Sequence, residues 1–518
     1  MPLRQREEVQ EVLRKIVLPA FSGVLLILCF PGWNIAPAAW IALVPLFFSL
    51  KGASAWQAFR RGFVALFVSS VGSLYWVYPT CRAGGVNAPA GLLAVAALSA
   101  YCALFGGAFG WAVRRIEALP EASRPFSSAA AWVALEFLRS HLLTGFPWIL
   151  LAYSQWKHPA LMPLAGFGGA YAVSFMLVLG NIVVARFIGR FMPKFFPENR
   201  PINWATTNLP AVIALAGLLS VGGMMFPLHR SPKAPAMKVA VVQGNIDQYK
   251  KWDHAYEEEI AETYARLTKE AASAPVDLII WPETSVPGWF PNDPRWTAWI
   301  KGLAKEVRRP LLIGAVTRDG GDYNSAFLIS ADGQIAGRYR KHHLVPFGEI
   351  IPFQSLLGRW IPVLGEMGDF DASDDWTVFQ SSGGAFGVNI CFESLFPGLV
   401  REFVRRGAGF TVNMTNDGWF LDTAALAQHF AGAPFRAVEN QTWVVCATNT
   451  GVTALVDPSG RVAARLERGR PGILRGEIVP DPRGAPYTRA GDVFAWLCAT
   501  VAALSLTPRR ATDRIKPT

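Results

Sequence analysis

The sequence predicts two folds in one chain: a polytopic α-helical membrane bundle of about eight spans, and an α/β domain placed between the seventh span and the eighth. Three observations carry that expectation. Of 518 residues, 52% are hydrophobic and only 17% charged, against roughly 25% charge in a soluble globular chain. Residues 1–230 contain no Asp, and their Glu residues, Glu136 excepted, lie outside the apolar runs. From about residue 236 to 486 the texture changes to short β-branched runs alternating with amphipathic segments, which is the alternation of an α/β fold. Disorder, collagen-like repeats and a disulfide-dense secreted scaffold are excluded by the same composition.

The apolar runs fall at 17–30, 35–50, 62–78, 90–113, 126–151, 161–185 and 209–226. Most approach or exceed the ~20 residues that carry a helix across a ~30 Å hydrocarbon core. Short loops rich in Lys and Arg stay cytoplasmic. One alternating set of loops holds Arg4, Arg6, Arg14 and Lys15, then Lys51, Arg60 and Arg61, then Arg114, Arg115 and Arg124, then Arg186, Arg190, Lys194 and Arg200. The other set has only Arg82 and Lys157 among its short connections. The N-terminus is therefore expected inside, and seven crossings deliver the α/β domain to the outer face. An eighth run, 493–506, precedes Arg509, Arg510, Arg514 and Lys516, which fits a return to the cytoplasm.

A cleaved signal peptide is the alternative reading of the first run, but no small-residue cleavage site follows it and the second run begins almost at once. The net charge of +11 (49 basic less 38 acidic residues) follows this topology and forms no aromatic-interleaved stripe, so nucleic acid is not an expected partner. Glu136 and Arg139 lie three apart, share a helix face, and are expected to pair inside the bundle. One such pair is too few ionisable residues for a transporter.

The α/β domain opens with an apolar strand, MKVAVVQGNI (237–246), and an amphipathic helix at about 254–272 with Ile260, Tyr264, Leu267 and Ala271 on one face. A buried strand, 276–281, stops at Pro282 and presents Glu283. Lys341 follows another strand, and Cys391 lies between a strand and a helix expected at 394–406. Asn413, Asn416 and Asp417 come after a further strand. Ligands of such folds bind where strand ends gather their loops. A thiol is a ready nucleophile, a carboxylate can take its proton, and an ammonium can hold charge on an oxyanion. The backbone amide of Phe392, at a helix start, is a natural second oxyanion donor. Each residue alone has a plain structural reading: Cys391 as inert packing, Glu283 as a loop cap, Lys341 as one of a solvated basic run.

In full motif, WPE followed by YRKHHLVPFGE (339–349) and CFES (391–394) resembles the nitrilase, or carbon–nitrogen hydrolase, superfamily. Further segments resemble the apolipoprotein N-acyltransferases: QGNIDQYKKW (243–252), WPETSVP (281–287), NMTNDGWF (413–420), QHF (428–430), ATNTGVTA (447–454), PYTRAGD (486–492) and, in the bundle, GFPW (145–148). The resemblance implies a seven-span bundle over 1–230, an outer catalytic domain over 236–488 built as a nitrilase-like α-β-β-α sandwich, and an eighth helix with a cytoplasmic tail over 491–518. It implies a bacterial inner-membrane enzyme with that domain in the periplasm. Cys391 is implied to be the acyl-carrying nucleophile, Glu283 its base and Lys341 the oxyanion-stabilising cation, with Glu349 and Glu393 in support. Trp419 is implied to stand at the substrate entrance; Trp289 and Asn416 are also expected to meet substrate.

The implied reaction moves an acyl chain from a phospholipid, typically phosphatidylethanolamine, through a thioester to the α-amine of a diacylglyceryl-cysteine on an apolipoprotein. Neither a metal nor a cofactor is expected, and the chain is expected to act as a monomer. Two departures from the pattern stand out: Phe392 where Tyr is common, and LDTAALAQH (421–429) without the expected Gly and Pro. The loops GWF (288–290) and LLGRWIPVLGEM (356–367) are expected to dip towards the bilayer and admit acyl chains. A Cys391–Cys446 disulfide would silence the nucleophile, so both thiols are expected free. The rival reading is a membrane-tethered amidase of the same superfamily that gives its acyl group to water.

Overall fold

A computed structural model of the chain describes residues 11–191, 204–225, 235–350 and 370–507. The segment 356–367, with the Trp360, Ile361 and Leu364 of the expected lipid gate, and the basic tail after 507 lie outside these. The chain divides into two compact units: residues 1–154, 170–222 and 492–518 form one, and residues 155–169 with 223–491 the other.

The first unit is helical: α1 (Leu18–Cys29), α2 (Val44–Leu50), α3 (Ala55–Ser73), α4 (Val77–Ala83), α5 (Ala88–Ile116), α6 (Arg124–Arg139), α7 (Ala165–Phe191) and α8 (Trp204–Met225), joined by the late helix Val493–Leu506. Ser54 caps α3 reciprocally with Gln57. Helices α3 and α5 touch backbone to backbone, because a Cβ on Gly62 would strike the Gly106 carbonyl.

The expectation of eight spans is borne out in part. Among the described residues only Ala88–Ile116 and Leu161–Phe191 are long and apolar enough to cross a membrane, with the α3–α4 pair, bent by 46°, as a third if it is one span. The apolar runs were counted as single helices, and the backbone breaks several of them. Run 35–50 divides into a 3₁₀ turn (Ala36–Trp40) and α2, each opening on a proline. Run 126–151 stops being helical at Arg139, and Leu143 and Gly145 then take positive φ. Glu136 and Arg139, expected to pair with each other, are instead turned to the backbone of 148–151: the Leu151 amide donates to Glu136 Oε1 at 2.8 Å, and Arg139 Nη2 donates to the Trp148 carbonyl at 3.2 Å.

The second unit carries two six-stranded sheets. The first runs β12-β1-β2-β3-β4-β5, from β1 (Met237–Gln243), β2 (Leu278–Ile280), β3 (Leu311–Arg318), β4 (Asp322–Ile329), β5 (Ile335–Arg340) and β12 (Gly472–Ile478). The second runs β11-β10-β9-β8-β7-β6, from β6 (Phe379–Ser381), β7 (Gly384–Ile390), β8 (Phe410–Thr415), β9 (Trp443–Thr448), β10 (Ala454–Val456) and β11 (Val462–Arg465). β1–β2–β3 and β7–β8–β9 are parallel, so the carboxyl ends of each trio point one way.

Residues alternate along β1 as a two-faced strand must. Val239 and Val241 join Leu278, Phe386, Val388, Phe410 and Met414 in one core between the sheets. Ala240 and Val242 turn the other way, onto Ile260, Tyr264 and Leu267 of α9 (Glu257–Ala272) and Trp296, Ile300 and Leu303 of α10 (Pro294–Val307). Helices α11 (Pro397–Arg405) and α13 (Gly432–Asn440) pack on β7 and β9. The segment 421–429, which lacks the expected Gly and Pro, turns into the short helix α12 (Ala425–Phe430).

Candidate active site

Three strand ends bring the chemistry together. Just after β2, Pro282 ends the strand and Thr284 takes a left-handed φ of 45°, so the chain turns and leaves Glu283 facing inward, 6% exposed. Its carboxylate bridges the two sheets: Asn324 Nδ2, on β4, donates to Oε1 at 2.7 Å, and the Asn416 amide, after β8, donates to Oε2 at 2.6 Å. Lys341 follows β5 and is wholly buried. Its Nζ lies 2.8 Å from each Glu349 oxygen and 3.7 Å from Glu283 Oε1. Burial alone disfavours that charge, but Glu349, then Glu283 and Cys391, hold Lys341 above the ordinary lysine range.

Cys391 follows β7 with φ 55°, a left-handed conformation that a side chain other than Gly rarely adopts. Burial, with Glu283 and Asp417 adding to it and Lys341 and Thr415 opposing, pushes its thiol well above the ordinary cysteine range. A thiol held neutral needs a base to react, and the charge of Glu283 is near enough to act on it. All six cysteines, Cys391 and Cys446 included, are free.

The supporting carboxylates have separate tasks. Glu349 pairs with Lys341 and accepts from the Val345 amide at 2.9 Å. Glu393 accepts from Tyr339 Oη (2.9 Å) and the amides of His342 (2.7 Å), His343 (3.0 Å) and Ile390 (2.7 Å), which ties the Lys341 loop to the cysteine strand. Phe392 sits in the 3₁₀ turn Cys391–Leu395, its buried ring edge-on to Phe396 at 5.0 Å.

The residues expected to meet substrate separate. Trp419 is 47% exposed on the turn Asp417–Phe420, free to contact a ligand. Asn416 is buried beneath Glu283, donating also to Gln248 at 2.8 Å and accepting from Asn449 at 3.1 Å, so its polar groups are spent on the protein. Trp289 is taken up by the Arg318 guanidinium, 4.3 Å above its ring. Phe290 is fully buried, its amide bound to the Val316 carbonyl at 2.9 Å. The GWF loop therefore packs onto β3 and α10 rather than dipping outward, because its aromatic ring completes the α9–α10 core.

Several further residues meet at the site, three of them, Lys251, Asp417 and His429, inside quoted motifs that assigned them no role. Asn324 donates to both Glu283 and Glu349 (3.1 Å). Lys251 Nζ donates to the Glu283 carbonyl at 2.9 Å; burial, against Glu283 and Cys391, brings its pKa down to about 7. His429 lies between Asp417 and the Cys391 carbonyl, 2.8 and 3.1 Å away. Cys391, Asp417 and His429 have donor atoms within 4.8 Å of one another. Both ring nitrogens lie within hydrogen-bond distance of protein acceptors, Asp417 Oδ1 and the Cys391 carbonyl.

A thiol, a carboxylate and a buried ammonium at strand ends of two stacked sheets define the class: a cysteine enzyme of the carbon–nitrogen hydrolase type. Residues 238–485 match the family described as Carbon-nitrogen hydrolase, and residues 22–183 match the Apolipoprotein N-acyltransferase N-terminal domain. The chain is 37% identical over 500 residues to the apolipoprotein N-acyltransferase of Geobacter metallireducens, covering 95% of this chain and 94% of that one. It is 31% identical over 507 residues to that of Pseudomonas putida, covering 95% of each. The chain belongs to the apolipoprotein N-acyltransferase family. Among solved structures, an amidase of the nitrilase superfamily from Nesterenkonia AN1 is similar at 18% identity and a TM-score of 0.39, over 51% of this chain and 98% of that one.

Proposed function

We propose that this protein transfers an acyl chain from a membrane phospholipid, such as phosphatidylethanolamine, to the N-terminal amine of diacylated apolipoproteins. The observation that carries the reading is the convergence of Glu283, Lys341 and Cys391 in a chain whose other half is apolar and helical. Glu283 takes the thiol proton and Cys391 attacks the ester carbonyl. The sulfur–carbon bond forms as Lys341 and the Phe392 amide hold the oxyanion. The ester carbon–oxygen bond then breaks, the protonated Glu283 gives its proton to the leaving oxygen, and a lysophospholipid departs from the thioester. In the second step the neutral amine attacks the thioester, Glu283 takes the amine proton, the amide bond forms, and the thiolate leaves and is reprotonated.

The protein acts in the bacterial inner membrane as a monomer, with the catalytic domain on the periplasmic side and both termini in the cytoplasm. The alternation of basic loops supports that orientation, and eight crossings satisfy it if the broken and short apolar helices count as spans. The exposure of Trp419, close in sequence to the buried Asn416 and Asp417, supports its meeting the arriving lipid.

Acceptor dependence tests the reading against hydrolysis. Purified protein in detergent with labelled phosphatidylethanolamine is expected to release lysolipid in sustained turnover only when an amine-terminated diacyl lipopeptide is present. Equal release into water alone would make it an amidase-like hydrolase.

A further inference from the structure

His429 and Asp417 carry no role in the two-step reaction, yet they hold the nucleophilic residue from both sides. His429 is 3% exposed and Asp417 2%. On one side the ring Nδ1 is 2.8 Å from Asp417 Oδ1. On the other, Nε2 is 3.1 Å from the Cys391 carbonyl and 3.2 Å from Ser394 Oγ. Ser394 spends its own proton on the Cys391 carbonyl at 3.0 Å, so it presents only a lone pair to Nε2.

Each ring nitrogen faces an acceptor, Asp417 Oδ1 at Nδ1 and the Cys391 carbonyl at Nε2, and a neutral imidazole, which has one N–H, would leave one of them facing a lone pair. Asp417 also stands beside the thiol: its Oδ1 accepts from Thr415 Oγ1 at 3.1 Å, and a carboxylate oxygen lies within 4.8 Å of the Cys391 sulfur. Asp417 is itself seated against Gly451, where a Cβ would collide with the carboxylate.

We propose that Asp417 and His429 are a positioning pair: an imidazolium that donates from both nitrogens, clamps the carbonyl of the left-handed Cys391, and neutralises the carboxylate next to the thiol. The conformation at Cys391 is one that surroundings must impose, and the pair is the buried group that grips it. The groups that face the ring or act on it include Asp417, Cys391, Ser394, the Phe420 ring at 6.3 Å and, through its charge, Glu283. Although burial disfavours the charged ring, Asp417 and the Cys391 carbonyl hold His429 above the ordinary histidine range. The inference rests on the reading of Cys391 as the nucleophile, and its test does not need acyl transfer.

The test is the rate of Cys391 alkylation by iodoacetamide against pH, read by peptide mass spectrometry on the full-length protein in detergent. H429Q leaves the Asp417 charge uncompensated beside the thiol. Its profile is expected to move about one pH unit to the alkaline side, so that the rate on the rising limb falls about tenfold. The double variant H429Q with D417N removes that charge and is expected to return the profile most of the way, a rescue that a merely structural loss would not give. For a readout independent of any substitution that harms folding, ¹⁵N-histidine NMR of the unaltered protein at about pH 8, above the ordinary histidine range of ~6.5, should show one ring with both nitrogens protonated. An H429Q profile superimposed on that of the unaltered protein, or no doubly protonated ring at that pH, overturns the proposal and leaves the acyl-transfer reading standing. Absence of lipid turnover in the unaltered protein, with the H429Q alkylation shift intact, overturns only the acyl-transfer reading.

Discussion

Lys341 and Glu349 form a largely buried ion pair, with Nζ 2.8 Å from both carboxylate oxygens, the lysine wholly buried and the glutamate side chain 13% exposed. The pair sets where the cation stands, and Glu283 takes the remaining approach at 3.7 Å. Glu349→Gln keeps the shape and removes the charge, leaving Lys341 with one carboxylate fewer. Breaking a buried pair costs about 3–5 kcal/mol, so acyl-enzyme formation should fall at least ~100-fold in single-turnover assays with labelled lipid. Undiminished acylation would remove Lys341 from the oxyanion role.

Lys251 adds a second ammonium whose charge is conditional. With a pKa brought down to about 7, it is protonated below neutral pH and uncharged above. When charged it favours the ionised forms of Glu283 and Cys391. Lys251→Met should therefore lower kcat/KM relative to the unaltered protein below about pH 7, and the ratio should approach one as pH rises past it. A ratio constant across pH would show that the charge plays no part.

Trp419 is half exposed and Phe386 is not exposed at all, and the two should separate binding from stability. Trp419→Ala is expected to raise KM for the lipid several-fold while Tm stays within the change of a surface substitution, about 0.5 kcal/mol. An unchanged KM would place the lipid path elsewhere.

Phe386 is stacked between Phe379 and Phe410, with ring centres at 5.2 and 5.0 Å, in the core shared by the two sheets. Phe386→Ala should cost about 3–5 kcal/mol, measured as a lowered unfolding midpoint of the purified protein. A midpoint within experimental error of the unaltered protein would show that the inter-sheet core does not hold the domain.

What was legible in the sequence is what is local along the chain. Pro282 punctuates a strand and hands Glu283 to its end; Lys341 and Cys391 follow strands whose β-branched runs are plain, and the structure brings all three together. The pairing of His429 with Asp417 spans 12 residues and acquires its meaning from Cys391, 38 residues from His429; no periodicity encodes that. Lys251 reads as one basic residue among several, because its burial comes from tertiary packing. The packing of Trp289 and Phe290 is not legible, since apolar residues in a loop look alike whether they face lipid or complete a core. Helix breaks are hidden for a related reason: hydropathy records what is apolar, whereas Pro37, Pro45 and the turn after Arg139 decide what is helical.

Whether acyl chains pass through Cys391 is settled by mass spectrometry of the protein after incubation with isotopically labelled phosphatidylethanolamine. The expected result is one labelled acyl group on the Cys391 peptide, absent from Cys391→Ala, and discharged when a diacylated lipopeptide is added. Turnover to triacylated product in Cys391→Ala, or a labelled acyl group on any other residue of the unaltered protein that the lipopeptide discharges, would contradict it.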